Sequence, residues 1–151
     1  MRPNLVVGLC GVVCVATSAL AQPASTQDSM SVVPYQDAKY VPLDPARPNG
    51  PQIAVLWGDP ATGPSAMFMK FEKSRGRLHF HTSDYDLVVL EGQMKHWGEG
   101  QREEDLQPLG PGSYWHQPGN LAHADSCLSD ECVMFIKWAG KRDAHLYTSP
   151  K

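Results

Sequence analysis

A strong excess of positive or negative charge is missing from this sequence: Lys plus Arg number 13 against 16 Asp plus Glu, a formal net charge of −3. No basic field exists to neutralise a phosphate backbone, which excludes nucleic acid as a partner. Long apolar runs are missing beyond residue 20, so no later segment reads as a membrane helix, which needs about 20 predominantly apolar residues. Neither a G-x-S-x-G elbow nor an H-E-x-x-H helix signature occurs, which removes the corresponding serine-hydrolase and zinc-protease designs. Cysteine is sparse, with four residues. Glycine and proline are not: each occurs 13 times in 151 residues, favouring short elements joined by tight turns over long helices. The composition therefore points to one all-β domain and excludes a long disordered tail or a collagen-like array.

The first segment reads as a secretory signal peptide. Arg2 provides a positive start, Leu5 to Leu20 is nearly all apolar or small, and Ala19-Leu20-Ala21 is an A-x-A cleavage site. A membrane anchor is the weaker reading, because the run is short and carries two Gly and two small hydroxyl residues. Cleavage after Ala21 predicts a periplasmic or secreted product with no membrane association. Cys10 and Cys14 leave with the leader, so Cys127 and Cys132 remain as a pair in an oxidising compartment. A disulfide pinning a hairpin loop is the reading we favour, with a free thiol pair as the alternative. A zinc thiolate site would need further soft ligands, and no other cysteine survives processing.

Residues 22–31 are small and polar and are expected to be flexible, with a single domain over 32–151. Seven prolines from Pro34 to Pro64 forbid regular helix and predict a segment that wraps along the domain. Strands are expected over Ile53–Trp57, Ser65–Phe71, Leu78–His81, Tyr85–Glu91, Gln93–Trp97, Ser113–His116 and Val133–Trp138, separated by Gly- and Pro-rich turns. Eight or so short strands at this spacing predict a sandwich or jelly roll. The charged loop from Gly98 to Leu106 reads as a solvated turn, and its G-x-G lacks the helix a dinucleotide site requires.

Five of the six histidines lie between residues 79 and 123. His79 and His81 flank Phe80, and on a strand residues i and i+2 share a face, so both imidazoles can converge on one ion. Downstream lie Thr82-Ser83-Asp84-Tyr85 and Glu91-Gly92, then Gly112-Ser113-Tyr114-Trp115-His116-Gln117-Pro118-Gly119-Asn120-Leu121-Ala122-His123. Together these resemble the cupin family, whose first motif is H-x-H, three or four residues, E, six residues, G, and whose second is G, five residues, P-x-G, two residues, H. His79 and His81 match the first-motif histidines and Gly92 its closing glycine; Gly112 and Pro118 match the second motif's opening and His123 its metal-ligand histidine. Two positions depart: Tyr85 stands at the family's glutamate, and Asn120 at the glycine of P-x-G. The likeness covers about Gly76 to Trp138. The runs Leu56-Trp57-Gly58-Asp59-Pro60 and Lys95-His96-Trp97 and the Cys127 to Trp138 segment are similar to an uncharacterised single-domain branch related to ChrR-type anti-sigma cupin domains. The resemblance implies a double-stranded β-helix (a jelly-roll, cupin-like barrel), a metal in the barrel mouth and pairing of chains into a homodimer.

Tyr85 shares a strand face with Leu87, Val89 and Glu91, so it points where the family's carboxylate would. A phenol with an ordinary pKa of about 10 ligates only a strong Lewis acid such as ferric iron, which makes three histidines plus water the more economical site. Asp84 or Asp86 would replace it if the strand bulged. Tyr85 otherwise serves as a proton donor or orienting group, and His96 and His116 are candidates to support the ligands or touch a substrate. Met67, Phe68, Met69, Tyr114, Trp115, Phe135 and Trp138 can line an apolar pocket, although alternating apolar residues on a strand read first as core. Three imidazoles with open positions suit divalent Zn, Fe, Mn, Ni or Cu. The expected function is a metal-dependent enzyme on a small organic molecule, of oxygenase, isomerase, lyase or hydrolase type. A ligand-binding or sensing module and a metal-free barrel are the alternatives.

Overall fold

A computed structural model describes residues 30–149, and the expected leader over residues 1–21 lies outside them. Glycine and proline limit the elements as expected: among the described residues there are nine strands, two single-turn 3-10 helices and no α-helix. The strands are β1 (Val41–Pro42), β2 (Gln52–Gly58), β3 (Ser65–Arg75), β4 (His79–Phe80), β5 (Tyr85–Glu91), β6 (Met94–Gly98), β7 (Tyr114–Gln117), β8 (His123–Trp138) and β9 (His145–Leu146). Among the described residues no helix is long and apolar enough to cross a membrane.

All nine belong to one antiparallel sheet that curls into a jelly roll around β8. One edge of β8 carries β3 and then β4, with Phe68 opposite Phe135 and His79 opposite His123. Its other edge carries β5 along the C-terminal half and β6 along the N-terminal half, with Val88 opposite Phe135 and Met94 opposite Cys127. β2 and β1 extend the sheet from β3, β7 from β5, and β9 from β4. Alternation along β5 buries Tyr85, Leu87 and Val89 on the inner face. Met67, Met94 and Met134 meet them there, all essentially without solvent contact. Each such side chain contributes roughly 1.5–3 kcal/mol relative to an exposed one.

The strongest departure from the sequence expectation is β8. No hairpin separates Cys127 from Cys132; the strand is continuous over 16 residues. Between Glu72↔Glu131 and Ser74↔Cys127 its register slips, leaving residues 128–130 as a bulge. The bulge shifts the side-chain alternation. Cys127 is buried with odd-numbered His123, whereas even-numbered Cys132, Met134, Ile136 and Trp138 are buried after it. Both halves thus direct side chains into one interior, and the Cys127–Cys132 disulfide (Cα–Cα 5.8 Å) closes the bulge. Leu128-Ser129-Asp130-Glu131 reads as a loop because polar residues interrupt the alternation; in the strand only Glu131 has a ladder partner, Glu72, while Leu128 N–H donates to Gln93 O (2.8 Å) and Ser129 Oγ accepts from Gln93 N–H (3.0 Å).

Other expectations are also corrected. Phe68 and Phe135 are not pocket walls: they stack edge-on at 6.3 Å, and Tyr35 covers Phe68 at 5.2 Å. Tyr35 belongs to the 3-10 turn Tyr35–Asp37 of the proline-rich segment and donates to Glu91 Oε1 (2.7 Å). The charged loop is not wholly solvated, because Glu103 pairs with Arg75 (2.6 Å) and its carbonyl accepts from Lys95 Nζ (2.8 Å).

Candidate metal centre

The pairing of β4 with β8 sets His79 directly opposite His123, and alternation along the chain brings His81 to the same face. Ring centroids are 4.4 Å apart for His79 and His123, 5.1 Å for His81 and His123, and 4.9 Å for His79 and His81. One ligating atom from each ring lies within 4.8 Å of the others. The two sequence motifs therefore meet. A further bond ties them: Asn120 N–H donates to His81 O (2.7 Å). Asn120 has φ 61, so the residue at the P-x-G glycine adopts the left-handed conformation that glycine would supply, one that Asn tolerates better than most residues.

Main-chain carbonyls orient all three rings. His79 Nδ1–H donates to Arg77 O (2.8 Å), His81 Nδ1–H to Asp143 O, and His123 Nδ1–H to Leu121 O (3.2 Å). A carbonyl only accepts, so each proton is on Nδ1 and each lone pair on Nε2. Burial lowers the pKa of His81 and of His123 to about 4, which keeps both rings neutral. Nearby Asp125 opposes the shift at His123 without overcoming it. Neutral imidazoles with fixed tautomers and converging lone pairs are the donor set of a borderline divalent transition metal. The residues fit the group.

Tyr85 points inward as expected and is 4% exposed. Its hydroxyl donates to His123 Nε2 (3.2 Å) and accepts from Trp115 Nε1–H (3.4 Å). Burial, aided by Asp125, raises its pKa well above the usual value, so it stands at the family's glutamate position as a neutral phenol. Asp84 and Asp86 are not brought to the site, because β5 does not bulge at their end. Asp84 accepts from Gly119 N–H (2.7 Å), and Asp86 accepts from Tyr114 (2.7 Å) and His116 (2.9 Å) on the opposite face. His116 is therefore no support for the ligands, and Tyr114 is exposed.

Sequence reasoning missed Asp125. It shares a strand face with His123 at i+2, and its Oδ2 lies 3.9 Å from His123 Nε2. The His123-Ala124-Asp125 spacing repeats that of His79-Phe80-His81 and was the available signal. Burial pushes the Asp125 carboxyl up, but the bond from His96 and the neighbouring imidazoles outweigh it and leave it below the usual range. His96 lies behind it, with Nδ1 2.6 Å from Asp125 Oδ1 and Nε2 3.1 Å from Gln117 Oε1. Gln117 is held in turn by donating to the Pro118 and Leu121 carbonyls (3.1 and 2.9 Å), and His96 stacks on Trp115 at 4.7 Å. The expected involvement of His96 is thus indirect, through Asp125.

A cavity of about 110 Å³ opens on the histidines. Met69, Leu87, Met134, Ile136 and Trp138 give it apolar walls, with Asp125 and Arg142 as its charged members. Of the pocket residues expected from sequence, Met69 and Trp138 line it, whereas Met67 and Trp115 are buried core.

A curled antiparallel jelly roll with a histidine cluster in its mouth is the architecture of a cupin. Residues 16–150 match the family described as "Domain of unknown function (DUF4437)", a cupin-like domain family to which this chain belongs. Solved structures agree on the fold. KdgF from Halomonas sp. has a TM-score of 0.55 at 22% identity, over 76% of this chain and 97% of that one. An RmlC-like cupin from Shewanella frigidimarina NCIMB 400 has a TM-score of 0.58 at 16% identity, over 76% and 95%. The polyketide cyclase RemF from Streptomyces resistomycificus has a TM-score of 0.62 at 18% identity, over 82% and 89%. No curated protein matches the chain.

Proposed function

We propose that the protein is a metal-dependent enzyme acting on a small organic molecule, with a divalent transition metal held by His79, His81 and His123. The observation that carries this reading is the commitment of three Nδ1 protons to carbonyls, which leaves Nε2 as the donor atom of each ring in a triad whose ligating atoms lie within 4.8 Å of one another, with His79 and His81 lining a cavity of largely apolar walls. When bound, such a metal supplies Lewis acidity toward a ligand oxygen and acidifies a coordinated water. The chain does the rest. Apolar walls exclude bulk water and strengthen each polar contact inside. Tyr85 keeps its proton, and that hydroxyl, now donating to His123 Nε2, becomes free to donate to a ligand oxygen once the lone pair is taken. Asp125, fixed by His96, offers a carboxylate beside the ligands as base or further donor atom. The description of RemF as a cyclase shows that this fold can house catalysis.

Elemental analysis of the untagged protein and of His81→Ala tests the reading. The expected outcome is one equivalent of a divalent metal in the first and loss of it in the second; equal content in both would refute it. A non-catalytic ligand-binding module is the second reading, favoured by the short reach from Asp125 to His123, which would suit a closed site. X-ray absorption on loaded protein separates the two, since an exchangeable water indicates the enzyme and four protein ligands the module.

We also propose export with cleavage after Ala21, and pairing of two chains. The disulfide supports export, because such a bond persists in an oxidising compartment. Pairing is supported by the family likeness alone.

A further inference from the structure

Arg142 has no part in the ligand set, yet it is the single Lys or Arg side chain lining the histidine cavity. Its Nε is buried and has no hydrogen-bond partner among the described residues. The carboxylates best placed to neutralise it are engaged elsewhere. Asp143, its neighbour in sequence, accepts from Thr82 N–H (2.9 Å) and Thr82 Oγ1–H (2.6 Å) and faces His145 Nε2 (3.4 Å). Asp125, in the same cavity, is held by His96 (2.6 Å). A buried guanidinium Nε–H without an acceptor is costly, and an anion that accepts from it would complete it.

The segment that carries Arg142 is fixed on both sides. Arg142 N–H donates to Pro60 O (2.9 Å), the Asp143 carbonyl accepts from the ligand His81, and β9 pairs with β4. The backbone that carries the arginine is thus held before any ligand arrives, which reduces the ordering cost of binding. A planar guanidinium fork matches an oxyanion in two-point contact. The walls around it are apolar, and desolvating a phosphate dianion against Met69, Leu87, Ile136 and Trp138 would cost more than desolvating a monocarboxylate.

We propose that Arg142 is the anion-recognising residue of this cavity and that the ligand is a small organic acid whose carboxylate pairs with the guanidinium while its apolar body lies on Met69, Leu87, Ile136 and Trp138. The inference deepens the proposed function by naming the substrate class. It rests on the metal reading only for what happens next to the histidines, because the carboxylate contact itself needs no ion.

Calorimetric titration with isobutyrate, isobutyramide and inorganic phosphate, on metal-loaded and metal-stripped protein, tests it. Isobutyrate should bind both forms, and its amide should bind at least about tenfold more weakly, the range for losing a hydrogen bond to a charged group. Arg142→Gln should lose a similar factor at unchanged metal content, and Arg142→Lys should recover part of it; circular dichroism checks that each variant folds. Equal affinity for acid and amide overturns the proposal, as do tighter binding of phosphate, wild-type affinity in Arg142→Gln, or no isobutyrate binding to either form. If His81→Ala keeps its metal while Arg142-dependent isobutyrate binding persists, the metal reading fails and the carboxylate site stands.

Discussion

Asp125 and the two most buried ligand histidines, His81 and His123, together set the chemistry of the mouth. Groups that orient or polarise metal ligands typically change affinity by about 10–100-fold when removed. Asp125→Asn should therefore weaken metal binding by that factor in competition with a chromophoric chelator, and unchanged affinity would show that the carboxylate does not act on the ligands. The histidines also make stability pH-dependent in a defined direction. Their pKa is lowered to about 4 in the folded chain, against about 6.5 when unfolded. Between those values the unfolded chain binds more protons, so stability is full above about pH 6.5 and falls as the pH drops towards 4. The melting temperature of metal-stripped protein should decline across that window, and a flat profile would contradict the neutral buried pair. At this scale the triad was legible because strand alternation and motif spacing both constrain it. Asp125 was overlooked because its spacing of two from His123 becomes informative only once the register of β8 sets that segment against β4. Arg142 had none at all: it lies 19 positions beyond His123, and only the return of the chain onto Pro60 and His81 brings it to the cavity.

At the scale of the elements, β8 is the axis of the sheet, and its bulge keeps both halves directed into one core. The disulfide closes a loop of about six residues, for which chain entropy gives roughly 2 kcal/mol. Cys127→Ser with Cys132→Ser, or reduction by dithiothreitol, should lower the melting temperature by about 5–10 °C for a domain of this size. No change would mean that the ladder alone fixes the bulge. Gly92 belongs to the same device. It has φ +81, and a Cβ there would meet Glu131 O at 2.6 Å and Cys132 Sγ at 2.9 Å, so the β5–β6 turn can lie against the bulge only with glycine. Strand β5 was read to the residue, since its alternation is unbroken from Tyr85 to Leu90. β8 was not, because Ser129, Asp130 and Glu131 look like a turn in isolation and become a strand only between β3 and the β5–β6 hairpin.

For the whole molecule, two proposals concern the finished protein. N-terminal sequencing of the exported product should begin at Gln22, and light scattering should return twice the mass of one chain. A retained leader or a monomer would overturn the respective proposal. Composition and turn chemistry were sufficient for an all-β jelly roll, because these signals are local and periodic, while the likeness of the two histidine motifs to the cupin family implied the barrel with His79, His81 and His123 in its mouth. Which residues surround the triad was decided by long-range pairing alone. Strand register placed Asp125 beside the ligands and sent Asp86 and His116 to the opposite face, and chain return placed Arg142. Such contacts join residues far apart in the chain, and no periodicity within one segment encodes them.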